Sequence, residues 1–329
     1  MAQQALKRGA VAASAAPGPR AAKAPPGGGG RRHRYGERPG IAYLFLSPWV
    51  LGALLLTLGP MLYSLYLSFT AYDLFTSPRW IGLENYRRLF TDDDRFLTSV
   101  WVTLKYVLIA TPLKLGAALG VALLLNRTSR AQGFYRAAFY APSLLGASVA
   151  VALVWRVIFD NGGPVDKAAS AFGLHAGGWT TDPQYALLAI VLLTVWQFGA
   201  PMVIFLAGLK QIPRSLYDAA AVDGAGWWRS FRSITVPMLS PVILFNLVLE
   251  TIHSFQAFTS AFVVSGGRGG PSDSTLFYTL YLYQSGFVEY RMGYASAMAW
   301  LLLIAIAVVT AVLFRTSRAW VFYSGGEER

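Results

Sequence analysis

Polar side chains recur at helical spacing inside an apolar stretch near residues 234–264. At 100° per residue, their positions fall within one sector of a helix. The group consists of Asn246, Glu250, His253 and Ser260, with Gln256 at its edge. Carboxylate, amide and imidazole groups together offer donors and acceptors, so a water-filled passage lined by them could hydrogen-bond a small polar solute. We predict that Asn246, Glu250, His253 and Gln256 line such a passage.

The same polar groups also admit a structural interpretation. Side chains of this kind bond to neighbouring helices in membrane proteins. Lys114 lies near the middle of another apolar stretch, as Glu250 does in its own. A buried ion pair between the two is therefore an alternative to substrate contact, and the sequence leaves both interpretations open.

Other kinds of chemistry find little support among the residues. The chain has no cysteine, and its three histidines, His33, His175 and His253, are too widely separated to suggest a metal-binding run. The sequence contains no G-x-S-x-G or H-E-x-x-H motif, which disfavours an intramembrane enzyme. It also contains no G-x-x-x-x-G-K-[ST] phosphate loop, so ATP would have to be bound by a partner. We predict no cofactor, metal site or catalytic residue in this chain.

The elements that must position the polar side chains are membrane-spanning helices. Of the 329 residues, 55% are hydrophobic and 13% are charged, against about 25% charged in an ordinary soluble domain. A bilayer core of about 30 Å requires about 20 mainly apolar helical residues. Six stretches meet this requirement, at about 41–69, 97–125, 135–159, 185–209, 234–264 and 292–314. We therefore predict an all-α, polytopic membrane protein with a six-helix transmembrane bundle.

Lysine and arginine are unevenly divided between the two sets of segments outside the spans. The two terminal tails and the loops that follow spans two and four carry 18 of them, whereas the alternate loops carry 7. Because cytoplasmic segments of membrane proteins are enriched in these residues, we predict that both termini are cytoplasmic. The net charge of +12 is then largely a consequence of topology and gives little support to nucleic-acid binding.

The ends of the chain differ in composition from the rest. Residues 1–40 are rich in alanine, proline and glycine and contain eight lysines and arginines. Such a segment cannot bury enough apolar surface to offset the cost of ordering, so we predict a disordered, basic cytoplasmic tail. The transmembrane domain is predicted at 41–320, and a short cytoplasmic C-terminal tail at 321–329.

The loop between spans four and five contains the signals of a short helix. Ser215 followed by Asp218 matches the S-x-x-D start of a helix, and Gly224 can take the left-handed conformation that ends one. A helix of about two turns is not stable alone in water, so we expect a partner to pack on it. The alternative is an ordinary loop helix in the membrane interface, with Trp227 and Trp228 as aromatic anchors.

The residues of this loop resemble those of a known family. The run Asp218-Ala219-Ala220, then Gly224, then residues 234–237, is similar to the cytoplasmic signature loop of permease subunits in binding-protein-dependent ABC importers. That family usually has glutamate at the position of Asp218 and leucine at that of Val236, so this chain departs conservatively at both. The resemblance is to the sugar-permease branch in particular, of the maltose and glycerol-phosphate type, and it extends over about 41–320.

The resemblance implies a subunit of an ATP-driven carbohydrate importer in the bacterial plasma membrane. Such a subunit pairs with a second homologous permease subunit, two ATPase subunits and an extracytoplasmic solute-binding protein, and forms half of a sugar pathway through the lipid bilayer. The loop at 213–233 would contain the short coupling helix that docks on an ATPase. The coupling residues that the resemblance implies are Asp218, Ala219, Ala220, Ala221, Asp223, Gly224 and Ala225. The alternatives are an ion-coupled secondary transporter and an intramembrane enzyme.

Overall fold

The computed structural model describes residues 39–126, 131–146, 148–173 and 178–322. The predicted basic tail at 1–40 and the C-terminal tail at 321–329 therefore lie almost wholly outside the described residues, as does His175. Contacts divide the chain into two units, one ending at Leu58 and the other beginning at Gly59. The first unit contributes a helix and one π-helical turn, and the second contributes all the remaining elements.

The described residues are mostly helical, with one small antiparallel hairpin. The elements follow one another in this order: α1 Pro39–Gly52, α2 Gly59–Ser68, β1 Thr70–Ala71, β2 Arg79–Trp80, α3 Glu84–Thr91, α4 Asp94–Leu125, α5 Gln132–Leu145, α6 Val149–Phe159, α7 Pro164–Ala171, α8 Ala186–Trp196, α9 Gly199–Gln211, α10 Arg214–Val222, α11 Trp227–Ser230, α12 Val236–Phe255, α13 Thr259–Val264, α14 Tyr278–Tyr283 and α15 Met292–Ser317. This composition agrees with the all-α class that the sequence predicts.

Three π-helical turns interrupt the α-helices, at Ala53–Leu58, Phe231–Thr235 and Gln284–Val288. The first two end two residues before Pro60 and Pro237, respectively. A proline has no N–H for the carbonyl one turn earlier, and a widened turn is one way in which a helix accommodates that loss.

Four helices are long and apolar enough to cross a membrane: Tyr43–Ser68, Asp94–Leu125, Trp227–Val264 and Met292–Ser317. Two bent pairs raise the number to six if each pair is one span. They are Gln132–Leu145 with Val149–Ala171, bent by 96°, and Ala186–Trp196 with Gly199–Gln211, bent by 44°. The chain is thus a multi-pass membrane protein. The six predicted stretches coincide with these helices, but the structure breaks the third and the fourth.

Buried apolar side chains form two clusters along α4. The first packs α4 against α8, α14 and α15, and its members include Tyr106, Ile190, Phe277 and Met298. The second packs α4 against α9 and the start of α12, and its members include Leu115, Met202, Leu206 and Leu239. On α4 the first cluster ends at Ala110 and the second begins at Leu115. The helical turn between them contains Thr111 and Lys114, and these side chains make polar contacts.

The Asp93 carboxylate stabilises the start of α4 by accepting three hydrogen bonds. Its Oδ1 accepts a hydrogen bond from the Phe96 N–H at 3.0 Å, which caps the helix. Its Oδ2 accepts one from the Tyr281 hydroxyl at 2.6 Å and another from the Tyr294 hydroxyl. Burial opposes ionisation of Asp93, but these hydrogen bonds outweigh it and hold the carboxyl pKa below its ordinary value of 3.8.

We expect Asp93→Ala to destabilise the folded protein by about 1–2 kcal/mol at pH 7, because the helix cap and the acceptor for two hydroxyls are lost together. A depressed folded-state pKa means that the stabilisation is present above the ordinary pKa of 3.8 and is lost as the pH falls through the folded-state value. The difference in stability between wild type and Asp93→Ala should therefore become smaller as the pH is lowered. Thermal unfolding in detergent at neutral and acidic pH measures this difference, with the exposed neighbour Asp92→Ala as the control. If Asp93→Ala unfolds at the same temperature as wild type, the stabilising role of Asp93 is contradicted.

Candidate functional site

A polar cavity opens at the turn of α4 that separates the two apolar clusters. Its volume is about 420 Å³, and α4, α5, the junction of α8 with α9, and the last part of α12 border it. The polar side chains that line it include Lys114, Ser143, Gln197, Glu250, His253 and Gln256. Such a lining offers both donors and acceptors to a small polar ligand. In the described part of the chain, no cluster of three or more His, Asp or Glu side chains is placed to hold a metal ion.

An ion pair joins the two long helices at this cavity. Lys114 Nζ donates to Glu250 Oε2 at 2.7 Å, and the two side chains are 12% and 8% exposed, respectively. One turn away on both helices, the hydroxyls of Thr111 and Ser254 lie 3.0 Å apart. The pair that the sequence offered as an alternative is thus present, and it tethers α4 to α12 at the edge of the cavity.

The break between α8 and α9 builds the opposite wall of the cavity. Pro201 has no N–H for the carbonyl of Gln197, and the Ser143 hydroxyl donates to that carbonyl instead, at 3.0 Å. The Ser143 oxygen in turn accepts from the Ala200 N–H at 3.0 Å. A Cβ on Gly199 would lie 2.6 Å from the carbonyl oxygen of Phe139. Glycine is therefore required for the close approach of α9 to α5.

Three of the four predicted pathway residues, Glu250, His253 and Gln256, line the cavity. Asn246 does not. It is 1% exposed, and its Nδ2 has no hydrogen-bond partner within the described residues. Helical spacing alone puts Asn246 in the same sector as the others, whereas packing buries this position, one turn before Glu250 on α12.

Tyr106, Ser143 and Thr194 also line the cavity, although the sequence analysis did not single them out. The Tyr106 and Thr194 hydroxyls lie 2.8 Å apart and connect α4 to α8. Their only signal in the sequence is that each is a polar residue inside an apolar stretch. That signal does not say which side of the helix faces the cavity.

The loop helix α10 lies where the sequence predicts it, but it begins differently. Pro213 is the residue before the first turn, the helix starts at Arg214, and no side chain caps its N-terminus. The predicted start signal of Ser215 and Asp218 is therefore wrong, because both residues lie inside the helix rather than at its cap. Proline at the entrance fixes the backbone angle that the first turn needs.

The end of α10 follows the prediction closely. Gly224 has φ +72°, the left-handed conformation that favours glycine. The Ala225 N–H donates to the Ala220 carbonyl at 2.8 Å, and the Gly224 N–H donates to the Ala221 carbonyl at 3.1 Å. These two bonds make a Schellman motif, which satisfies the last carbonyls of the helix.

Most of α10 is exposed, including Asp218, Ala219, Ala221 and Asp223. Val222 is 88% exposed. Tyr217 ties the helix to the rest of the subunit, because its hydroxyl lies 2.9 Å from that of Thr235 and its side chain packs against the second apolar cluster. After α10, in the same loop, Trp227 and Trp228 are exposed and both stack on Phe231.

Residues 102–320 match the sequence profile of the family described as the inner membrane component of binding-protein-dependent transport systems. The chain belongs to this family. The matched range covers the cavity, the ion pair and the loop helix, so the resemblance based on the loop residues is confirmed. The chain is a permease subunit rather than an enzyme.

Two relatives agree with this membership. The permease subunit is 50% identical over 287 residues to the probable ABC transporter permease protein YesP of Bacillus subtilis (strain 168), covering 87% of this chain and 93% of that relative. It is 31% identical over 275 residues to the probable starch degradation products transport system permease protein AmyD of Thermoanaerobacterium thermosulfurigenes, covering 83% and 92%, respectively.

Two solved structures share the fold of the permease subunit. One is the crystal structure of a bacterial ABC transporter involved in the import of the acidic polysaccharide alginate, with a TM-score of 0.72 at 22% identity, covering 86% of this chain and 96% of that chain. The other is a bacterial alginate ABC transporter in complex with an alginate pentasaccharide-bound periplasmic protein, with a TM-score of 0.72 at 21% identity, covering 86% and 95%, respectively.

Proposed function

We propose that this chain is the transmembrane subunit of an ATP-driven carbohydrate importer and forms half of its translocation pathway. The observation that carries the proposal is the polar cavity between two apolar clusters, in a chain that belongs to an importer family. Glu250, His253 and Gln256 supply the hydrogen-bonding groups on α12. The name of AmyD, which refers to starch degradation products, supports a carbohydrate as the cargo.

We propose that the loop at 213–233 couples this subunit to a separate ATPase. Asp218, Ala219, Ala220, Ala221, Asp223, Gly224 and Ala225 form the contact segment. The exposure of this segment supports the proposal, since a helix of nine residues is too short to be stable without a partner. The remaining partners are a second permease subunit, a second ATPase subunit and an external solute-binding protein. The periplasmic protein in the alginate complex is the nearest precedent for that last partner.

Affinity purification of the tagged full-length chain from its own host tests the coupling proposal. We expect an ATPase subunit and a second permease subunit to co-purify, and sugar uptake by proteoliposomes containing the complex to require ATP inside the vesicle and the binding protein outside. Uptake driven by a proton or sodium gradient in vesicles that contain this chain alone would instead establish an ion-coupled secondary transporter.

The topology of the proposal is tested by single cysteines in a chain that has none of its own. We propose that both termini are cytoplasmic, as the distribution of lysine and arginine predicts. Cysteines at Ser14 and Ser324 should resist a membrane-impermeant maleimide in intact cells, whereas one at Ser272 should react. All three should react once the membrane is opened with detergent. Labelling of either terminus in intact cells would contradict the predicted topology.

A further inference from the structure

The charged groups of the cavity are balanced within this subunit. Among the described residues that line it, Lys114 and Glu250 carry opposite charges and are paired at 2.7 Å. His253, the remaining basic group in the lining, is exposed. The Lys114–Glu250 pair therefore presents a positive and a negative group side by side, with no net charge of its own.

Both members of the pair retain unused hydrogen-bonding capacity. An ammonium group has three donors and a carboxylate accepts at two oxygens, and the contact between them uses one donor and Oε2. Within the described part of the chain, neither head group has another hydrogen-bond partner. Because both side chains border the cavity, the free donors of Lys114 and the free oxygen of Glu250 are available to a ligand.

A purely structural role explains this arrangement poorly. A buried ion pair contributes little net stability, and apolar residues of similar volume often replace it without loss. Close packing would also be expected to enclose such a pair, whereas this pair borders a cavity of about 420 Å³. A position at the border of the cavity is expected for a charged pair that contacts the transported solute.

We propose that Lys114 is a further specificity-determining residue, and that the Lys114–Glu250 pair selects uncharged sugars over sugar acids. This inference rests on the proposed function of the cavity as the carbohydrate pathway. Two neighbouring hydroxyls of a sugar satisfy the pair together, one accepting from the ammonium and the other donating to the carboxylate. A sugar carboxylate would compete with Glu250 for Lys114 and leave one negative charge uncompensated, which is costly away from bulk water.

Two variants that each remove one charge of the pair are expected to have opposite effects. Glu250→Gln leaves the Lys114 cation unpaired and should favour sugar acids, whereas Lys114→Gln leaves the Glu250 carboxylate unpaired and should disfavour them further. A charge-assisted hydrogen bond is stronger than a neutral one. We expect this difference to change the ratio of sugar-acid affinity to neutral-sugar affinity by about tenfold in each variant. If the role of the pair is only structural, both variants should lower the stability of the complex, and they should not change this ratio in opposite directions.

The test uses the purified complete importer without its binding protein, so that the binding protein does not filter the ligands. Saturation-transfer NMR would measure binding of two matched pairs, galactose with galacturonate and glucose with glucuronate. We expect the ratio of acid to neutral affinity to rise about tenfold in Glu250→Gln and to fall in Lys114→Gln. The exchanged pair, Lys114→Glu with Glu250→Lys, should keep the wild-type ratio. Lys105→Gln, which removes a cation of α4 outside the cavity lining, is the matched control.

Equal ratios in both single variants, with the complex intact, would overturn the inference but leave the proposed function standing if sugar uptake persists. A loss of neutral preference in the exchanged pair would overturn it as well, and that variant remains informative even if the single variants assemble poorly. The proposed function fails separately, if the wild-type complex transports no sugar with ATP and binding protein present.

Discussion

Glu250→Leu is expected to reduce the yield of assembled complex severely, because it leaves the Lys114 ammonium buried without its partner. The two side chains are 12% and 8% exposed in the paired state. Removing one member of a buried pair typically costs about 3–5 kcal/mol, which is comparable to the total stability of many domains. Purified complex per gram of cells and its thermal midpoint measure the effect directly.

The companion variant Lys114→Leu/Glu250→Leu separates assembly from transport. With both charges removed, the α4–α12 contact becomes apolar and the yield should recover to near the wild-type value. Sugar uptake should stay low, since the cavity has lost its charged donor and acceptor. Full uptake by Glu250→Leu alone would contradict both a structural and a substrate role for Glu250.

Gly224→Val is expected to insert normally into the membrane yet to lose most coupled transport. The substitution places a β-branched residue at φ +72°, which costs roughly 1–2 kcal/mol or more. A Cβ at this position would meet no atom within 4 Å, so the penalty comes from the backbone and not from a clash. Such a penalty changes the ratio of two loop conformations by about 5- to 30-fold, and the Schellman end of α10 is the conformation that is lost.

Gly226→Val is the matched control for that prediction. Gly226 has φ −68° and likewise has open space around its Cβ position, so valine is tolerated there. Co-purification of the ATPase and transport-dependent ATP hydrolysis should fall in Gly224→Val and stay near wild type in Gly226→Val. If Gly224→Val transports normally, the loop helix is not the coupling element.

The parts of this protein that the sequence predicts well are governed by local physics. Hydropathy locates the membrane helices because about 20 apolar residues are required to span a bilayer. Gly224 ends α10 as expected, since few residues other than glycine adopt a positive φ without strain. Both properties depend on residues close together in the chain, which a single sequence displays.

The parts that were predicted less well depend on contacts between distant segments. Asn246 shares a helical sector with Glu250, but burial against other helices removes it from the cavity. The break at Gln197 is stabilised by Ser143 from another helix, and no local pattern pairs these two. At the start of α10, Pro213 replaces the predicted side-chain cap, because entry into a helix has more than one solution.

The hydroxyl contact between Tyr217 and Thr235 joins the loop helix to the start of α12. Thr235 lies immediately before α12, and Glu250 lies 15 residues further along the chain, which is about 22 Å along the helix axis. A tilt of about 10° at the base would move Glu250 sideways by about 4 Å over that length. This displacement exceeds the 2.7 Å separation of the charge pair. If an ATPase moves α10 as the proposed coupling requires, a tilt of this size with α4 held fixed would separate Lys114 from Glu250.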